Sequence, residues 1–304
     1  MKILITGATG LIGSRLVEAL IERGHKDLRI LTRNLHKVSK EFSLPLEFFE
    51  WNPEAKELNL AALQGVHTVI HLAGESVGDG RWNQSKKDRI LNSRLSATSL
   101  LIETIKQLAS PPKKFISASA IGFYGDRGDE ALDEQSKAGE GFLADVCKRW
   151  EDLALNHGIR SMQSAVIRTG IVLSPEGGAL LKMLPLFKVG LAGTVGTGDQ
   201  YMSWIHIDDL VGQYISLLEK DFIRPVYNGV SPTPVSNLIF TKTLGRELNR
   251  PTLFPVPAVL LQTVLGEKSQ LLLASQKVTP QCFIQEGYTF KFQNLEAALK
   301  DILT

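Results

Sequence analysis

A chain of 304 residues with 43% hydrophobic and 22% charged side chains holds enough apolar material for one large domain or two small ones. A net charge of +2 gives no argument for nucleic acid or an acidic surface as partner. Cys147 and Cys282, the two cysteines, make neither a disulfide framework nor a metal-ligand set, and no apolar run approaches the ~18 residues of a membrane span.

Short apolar, β-branched runs predict strands at residues 2–6, 28–32, 68–72, 114–118 and 163–168. The opening "MKILITG" enters the first of them directly, with no leader ahead of it, so the chain is read as cytoplasmic. Between the strands the period becomes helical. Leu11, Ile12, Leu16, Leu20 and Ile21 form one stripe, with Gly24 as the C-cap. Residues 90–106 form another. In "GEGFLADVCKRWEDLA", Leu143, Val146, Cys147, Trp150, Leu153 and Ala154 form a third, which reads as a buried face. Alternating strand and helix implies an α/β fold: a doubly wound parallel sheet covered on both faces.

The pattern loosens after Leu173, where glycine and proline accumulate. Residues 1–173 are therefore assigned to the main domain, and 174–202 and 223–304 to a smaller C-terminal α+β lobe that binds substrate. The strand-then-helix pattern of "WIHIDDLVGQYISLLEK" rejoins the main sheet at about residues 203–222.

The strongest local signal is "ILITGATGLIGSRL". Gly7 permits a sharp turn, Gly10 lets backbone approach a pyrophosphate, and Gly13 lets helix pack on sheet. The backbone of Thr9, Leu11 and Ile12 then presents helix-start N–H groups to the phosphates. The spacing is G-x-x-G-x-x-G, and a purely structural strand–helix turn is the competing reading. In "RILTRN", Thr32 and Arg33 stand where an acid would hold a ribose 2′-hydroxyl. A permanent cation there suits a 2′-phosphate, so the cofactor is read as NADP(H); a solvated arginine at a strand end is the alternative.

"TGATGLIG", "VIHLAGE", "FISASAIGFYG" and "WIHIDDL", in this order, resemble the extended short-chain dehydrogenases, the NAD-dependent epimerase and dehydratase group. "HLAGESV", "RWNQSKKDRILNSRL", "FLADVCKRWE" and "LGEKSQLLLASQKVTP" resemble more narrowly an atypical "epimerase family protein" branch with a C-terminal domain of unknown function. The resemblance covers essentially the whole chain. It implies a Rossmann-type NADP(H) domain, with Leu72, Ala73 and Gly74 backing onto the cofactor. It places Arg94 where typical members carry an Asn, four residues before Thr98, as an NADP(H) contact; a helix-face ion pair is the alternative. It also matches Ser119 to the catalytic serine.

Typical members further carry a catalytic Tyr and a Lys four residues later, followed after four more by an acid. With Glu151 as that acid, the two places hold Leu143 and Cys147. A one-residue slip gives Ala144 and Lys148, so no tyrosine appears in either register. Tyr124, in a loop expected to overhang the cleft with Arg127 nearby, is the candidate substitute proton donor beside Ser119. Asp126, Asp129 and Glu130 read as a polar loop and not as a metal site. Tyr201, Trp204 and His206 are candidates to line the substrate pocket, although His206 and Asp208 read better as architecture. The function expected is an NADP(H)-binding oxidoreductase or epimerase-like protein with a non-standard site, acting on a carbonyl or nucleotide-sugar-like small molecule. The alternative is a catalytically inactive NADP(H) sensor. A true epimerase needs a second diphosphate pocket, to which Arg168, Lys182 and Lys188 are the available cations.

Overall fold

Alternation along the first strand sorts the molecule into layers. In the computed structural model, which describes residues 1–36, 38, 42 and 46–304, Ile3 and Ile5 join one hydrophobic layer and Leu4 joins the other. The main sheet contains, in chain order, β1 (Ile3–Thr6), β2 (Leu28–Thr32), β3 (Glu47–Asn52), β4 (Glu57–Leu58), β5 (Thr68–His71), β6 (Lys114–Ala120), β7 (Gln163–Thr169) and β8 (Val226–Gly229). The spatial order is β8-β7-β6-β5-β1-β2-β3-β4, parallel throughout except for the β3–β4 pair.

Helices α1 (Leu11–Glu22), α2 (Gln84–Ile105), α3 (Phe142–Leu155), α4 (Gly178–Lys188) and α5 (Ile207–Glu219) follow from the apolar stripes. On one face of the sheet, Leu16, Leu20, Leu210 and Tyr214 of α1 and α5 cover Ile3, Ile5, Ile30, Ile70 and Ile116. On the other, Ala97, Leu101, Ile105 and Ala154 of α2 and α3 cover Leu4, Leu31, Val69 and Phe115. Each fully buried Leu, Ile or Phe contributes about 1.5–3 kcal/mol. A third core holds the C-terminal lobe together, with Leu180, Leu184 and Phe187 of α4 against Trp204, Phe240, Leu244, Leu295 and Leu299.

From β1 the chain winds outward through β2 and β3, then returns and winds the other way through β5, β6, β7 and β8. The winding therefore reverses between β1 and β5, and the carboxyl ends of those strands form the crevice at which ligands bind in sheets of this kind.

Three elements differ from the sequence reading. Helix α2 begins at Gln84, ahead of residue 90, because the Asn83 side chain accepts from Lys86 N at 2.9 Å and caps it there. The strand Trp204–His206 pairs with Ile171–Leu173 outside the main sheet, and only α5 returns to the sheet, packing beside α1. Conversely, Val226–Gly229 of the segment assigned to the lobe pairs with β7 and completes the sheet edge as β8. Among the described residues, no helix is long and apolar enough to cross a membrane.

Candidate functional site

The turn after β1 is fixed by its own backbone. Gly7 has φ +71°, and a Cβ there would lie 2.8 Å from the Leu72 carbonyl carbon. A Cβ on Gly13 would lie 2.2 Å from Gly7 O. Neither position tolerates a side chain. Gly10 is different: its Cβ would meet only Gly7 O, at 3.2 Å, and both Gly10 and Thr9 are exposed. Gly10 is also the N-cap of α1, and no side chain caps the helix, so the amides that open it at Leu11 and Ile12 face outward uncapped. The Leu11 side chain lies under Gly177 and Gly178, where the lobe begins to arch over the loop. An uncapped helix start above an open glycine has the chemistry of a pyrophosphate cradle and fits a dinucleotide.

Beneath this turn lies a buried polar chain that sequence reasoning missed. Thr6 Oγ1 accepts from Leu72 N and Ala73 N, at 3.2 and 3.1 Å, and donates to His71 Nδ1 at 2.7 Å. His71 Nε2 then donates to Thr98 Oγ1 (3.1 Å), which also accepts from Trp150 Nε1 (3.0 Å) and donates to Arg94 O (2.8 Å). Donor counting along the chain assigns the Nε2–H tautomer. Burial, reinforced by the Arg94 charge, pushes the His71 pKa down to about 3 and keeps the ring neutral. A threonine facing a histidine on adjacent strands was the available signal.

At the end of β2, Thr32 Oγ1 accepts from Asn34 N (3.1 Å) and closes a local turn. Arg33 is exposed, and among the described residues it has no hydrogen-bond or ion-pair partner. Across the crevice, the half-buried Arg94 guanidinium lies against Gly74, whose Cβ would come within 3.2 Å of Cζ. Arg94 Cζ sits 5.0 Å over the Trp150 ring, a cation–π contact. Its Nη1 donates to Glu75 O (3.0 Å) and Ile90 O (2.9 Å). No carboxylate pairs with it, so the helix-face ion pair considered from sequence is not formed among the described residues.

Ser119, at the end of β6, donates to Glu151 Oε1 at 2.6 Å. Glu151 is held on both oxygens by Arg168 of β7, through Nε at 2.9 Å and Nη2 at 2.8 Å. Burial works against the guanidinium charge, but these bonds outweigh it and raise the Arg168 pKa. Arg168 Nη1 continues to the Tyr124 hydroxyl at 3.0 Å, and Tyr124 donates to Asn228 Oδ1 at 2.7 Å.

The position of Tyr124 differs from the sequence expectation. Tyr124 does not overhang the cleft. It is 0% exposed, and burial pushes its phenol up to about 12 despite the neighbouring Arg168. Arg127, the cation expected beside it, pairs with Glu130 at 2.6 Å instead. Asp126 accepts from Ser275 N (3.0 Å) and ties its loop to the C-terminal lobe. The cations considered for a second diphosphate are otherwise engaged. Arg168 is buried against Glu151, and Lys182 is bound to Asp79 and Gly78 O. Lys188 remains at the exposed end of α4. Trp204 is buried and donates to Thr233 O, and His206 caps α5, so both serve architecture. Tyr201 is half-buried, with Lys277 Nζ 4.7 Å from its ring centre.

A family model described as the NAD dependent epimerase/dehydratase family matches residues 3–228. The chain belongs to that family. A second model, a domain of unknown function (DUF1731), matches residues 256–302. The human epimerase family protein SDR39U1 is 34% identical over 307 residues, with 100% of each chain covered. The chloroplastic SDR39U1 homolog of Arabidopsis thaliana is 37% identical over 306 residues, covering 100% of this chain and 87% of its own. A crystal structure of human epimerase family protein SDR39U1 (isoform2) with NADPH superimposes with a TM-score of 0.89 at 33% identity, and 99% of each chain is covered.

Helix α3 is the stretch read from the sequence as carrying the altered site. Its acid, Glu151, is buried and paired. Cys147 is also buried, its Sγ lies 3.6 Å from Ala120 O, and burial pushes its pKa up to about 11. Leu143 packs on Gly122, where a Cβ would approach the Leu143 Cβ to 3.2 Å. The two places read from the sequence as the phenol and ammonium positions thus hold a methyl-rich side chain and a neutral thiol.

Proposed function

We propose that this protein binds NADP(H) in the β1–β5 crevice and exchanges a hydride with a small carbonyl or alcohol compound seated under the C-terminal lobe. The observation that carries the reading is the pairing of an uncapped glycine cradle with an exposed arginine at the end of the next strand that has no partner among the described residues. On this reading the amides of Thr9, Leu11, Ile12 and Gly13 hold the pyrophosphate across the open Gly10, whose own N–H donates to Gly7 O, and Thr32 and Arg33 receive the 2′-phosphate. Leu72, Ala73 and Gly74 form the small-residue floor, and Arg94 contacts the cofactor beside them. The NADPH in the human SDR39U1 crystal structure, similar over the whole chain, supports the same cofactor here. Two buried free cysteines suit a reducing compartment such as the cytoplasm.

NADP(H), when bound, supplies or accepts the hydride. The protein's own part is the proton. Ser119 directs its hydrogen at Glu151 Oε1 and so presents oxygen lone pairs to an incoming hydroxyl. In alcohol oxidation the Ser119 Oγ lone pairs accept the substrate O–H and hold it while its proton leaves to water, and Glu151 stays ionised against Arg168 and keeps the Ser119 hydrogen turned inward. Carbonyl reduction runs these transfers backward. Tyr124 takes no part, because its hydroxyl is enclosed and bonded on both sides.

NADPH fluorescence titration followed by NADPH oxidation over a carbonyl panel tests the reading. Micromolar binding with oxidation of at least one compound, lost in Ser119→Ala, is expected. Tight binding with no turnover on a broad panel transfers support to the second reading, a cofactor sensor. The inward bonding of Ser119, Tyr124 and Cys147 is the observation that favours that alternative.

A further inference from the structure

Arg94 keeps hydrogen-bond capacity on this side of the crevice. Its Nη1 is used by Glu75 O and Ile90 O, while Nε and Nη2 donate to nothing among the described residues. The guanidinium plane is held in place by Gly74 and by the Trp150 ring. Trp150 lies three residues beyond Cys147, so the two share a face of α3. Arg94 also acts electrostatically on the Cys147 thiol, partly offsetting the rise that burial causes. The neighbouring strand end holds Ser119. The fixed, half-open fork therefore stands beside the serine end of the crevice, away from the Arg33 end.

We infer that Arg94 grips the ribose hydroxyls at the nicotinamide end of NADP(H) through its Nε and Nη2, and supplies the positive charge that typical members place on α3. The two replacements then explain each other. A small neutral thiol at Cys147 leaves the room and the charge vacancy that a long cation from α2 fills. A lysine at 147 beside Arg94 would set two cations in one low-dielectric space, which is unfavourable. A planar fork can donate to two adjacent hydroxyls at once, which an ammonium does less well.

The inference rests on the NADP(H) reading, and two ligands separate their failures. NADPH carries both halves of the dinucleotide, whereas 2′,5′-ADP carries only the adenosine half with its 2′-phosphate. Isothermal titration of both is expected to show Arg94→Met weakening NADPH by about 10–100-fold, the range of one or two charge-assisted hydrogen bonds. Its 2′,5′-ADP affinity is expected to stay within about 2-fold, because that ligand does not reach Arg94. Arg94→Lys, which keeps the charge without the fork, is expected to fall between and serves if the methionine variant does not fold. Arg94→Asn combined with Cys147→Lys is expected to regain part of the NADPH affinity that Arg94→Asn alone loses. Equal weakening of both ligands, or of neither, overturns the assignment to the nicotinamide end. Failure of the unmodified protein to bind either ligand overturns the NADP(H) reading and this inference together.

Discussion

At the β1–β2 end of the crevice, Thr9, Gly10 and Arg33 lie on the surface, and the first amides of α1 carry no cap. At the β6–β7 end, Ser119, Glu151, Arg168 and Tyr124 are buried, and each is hydrogen-bonded to the next. Both ends are polar, but their polarity does different work. Donors without a protein partner contribute little to folding and are free for a ligand. Donors closed into a network hold the fold and fix one hydroxyl. Substitutions should accordingly change affinity at the first end and stability at the second.

The largest effect is expected where the network carries charge. Glu151→Gln removes the carboxylate that neutralises buried Arg168 and accepts from Ser119. Breaking one side of a buried pair typically costs about 3–5 kcal/mol. Urea unfolding should show that loss, and Glu151→Gln with Arg168→Met should recover much of it, because no orphan charge remains. A single-variant loss below about 1 kcal/mol would mean that water reaches the pair, and the contrast between the two ends would disappear.

A smaller effect is expected from His71, which sits under the boundary between the two ends. Its folded pKa of about 3 lies below the ordinary 6.5. The unfolded chain therefore takes up a proton first as the pH falls. The stability due to the neutral ring is complete above about pH 6.5 and declines toward pH 3, at up to about 1.4 kcal/mol per pH unit. His71→Asn should be less stable at pH 7.5 through its broken bonds to Thr6 and Thr98, yet lose less on going from pH 6.5 to 4.5. Parallel stability–pH curves for the two proteins would show that His71 titrates freely.

The legibility of the sequence follows the same division. Gly7 and Gly13 were readable because the φ of +71° at the first and the approach of the second to Gly7 O both arise within one strand–helix unit. The Glu151–Arg168 pair joins a helix to a strand, and no spacing rule brings them together. Tyr124 was misplaced for a related reason. Its neighbour in sequence, Arg127, stays outside with Glu130, while the cation that does reach it comes from β7. The β8 strand was hidden by the prolines around "RPVYNGVSPTP", yet an edge strand tolerates proline at its start, and Pro225 stands one residue before Val226. The resemblance pointed to Ser119 and to a missing Tyr–Lys pair as expectations, but not to the inward direction of the Ser119 hydrogen, which depends on where Glu151 folds.

The smallest expected effect on folding, and the sharpest test of the contrast, lies at Arg33. The side chain is exposed and unpartnered among the described residues, so Arg33→Ala should leave stability within about 0.5 kcal/mol. If the guanidinium holds a 2′-phosphate, NADPH affinity should fall by about 10–100-fold, the range of charge-assisted hydrogen bonds to phosphate. NADH, which has no such phosphate, should bind the variant and the unmodified protein alike. The ratio of the two affinities is the quantity to measure, because a general disturbance of the crevice weakens both cofactors and leaves the ratio unchanged. An unchanged ratio would assign Arg33 to solvent and move the search for the 2′-phosphate contact to the amides and side chains that follow β2.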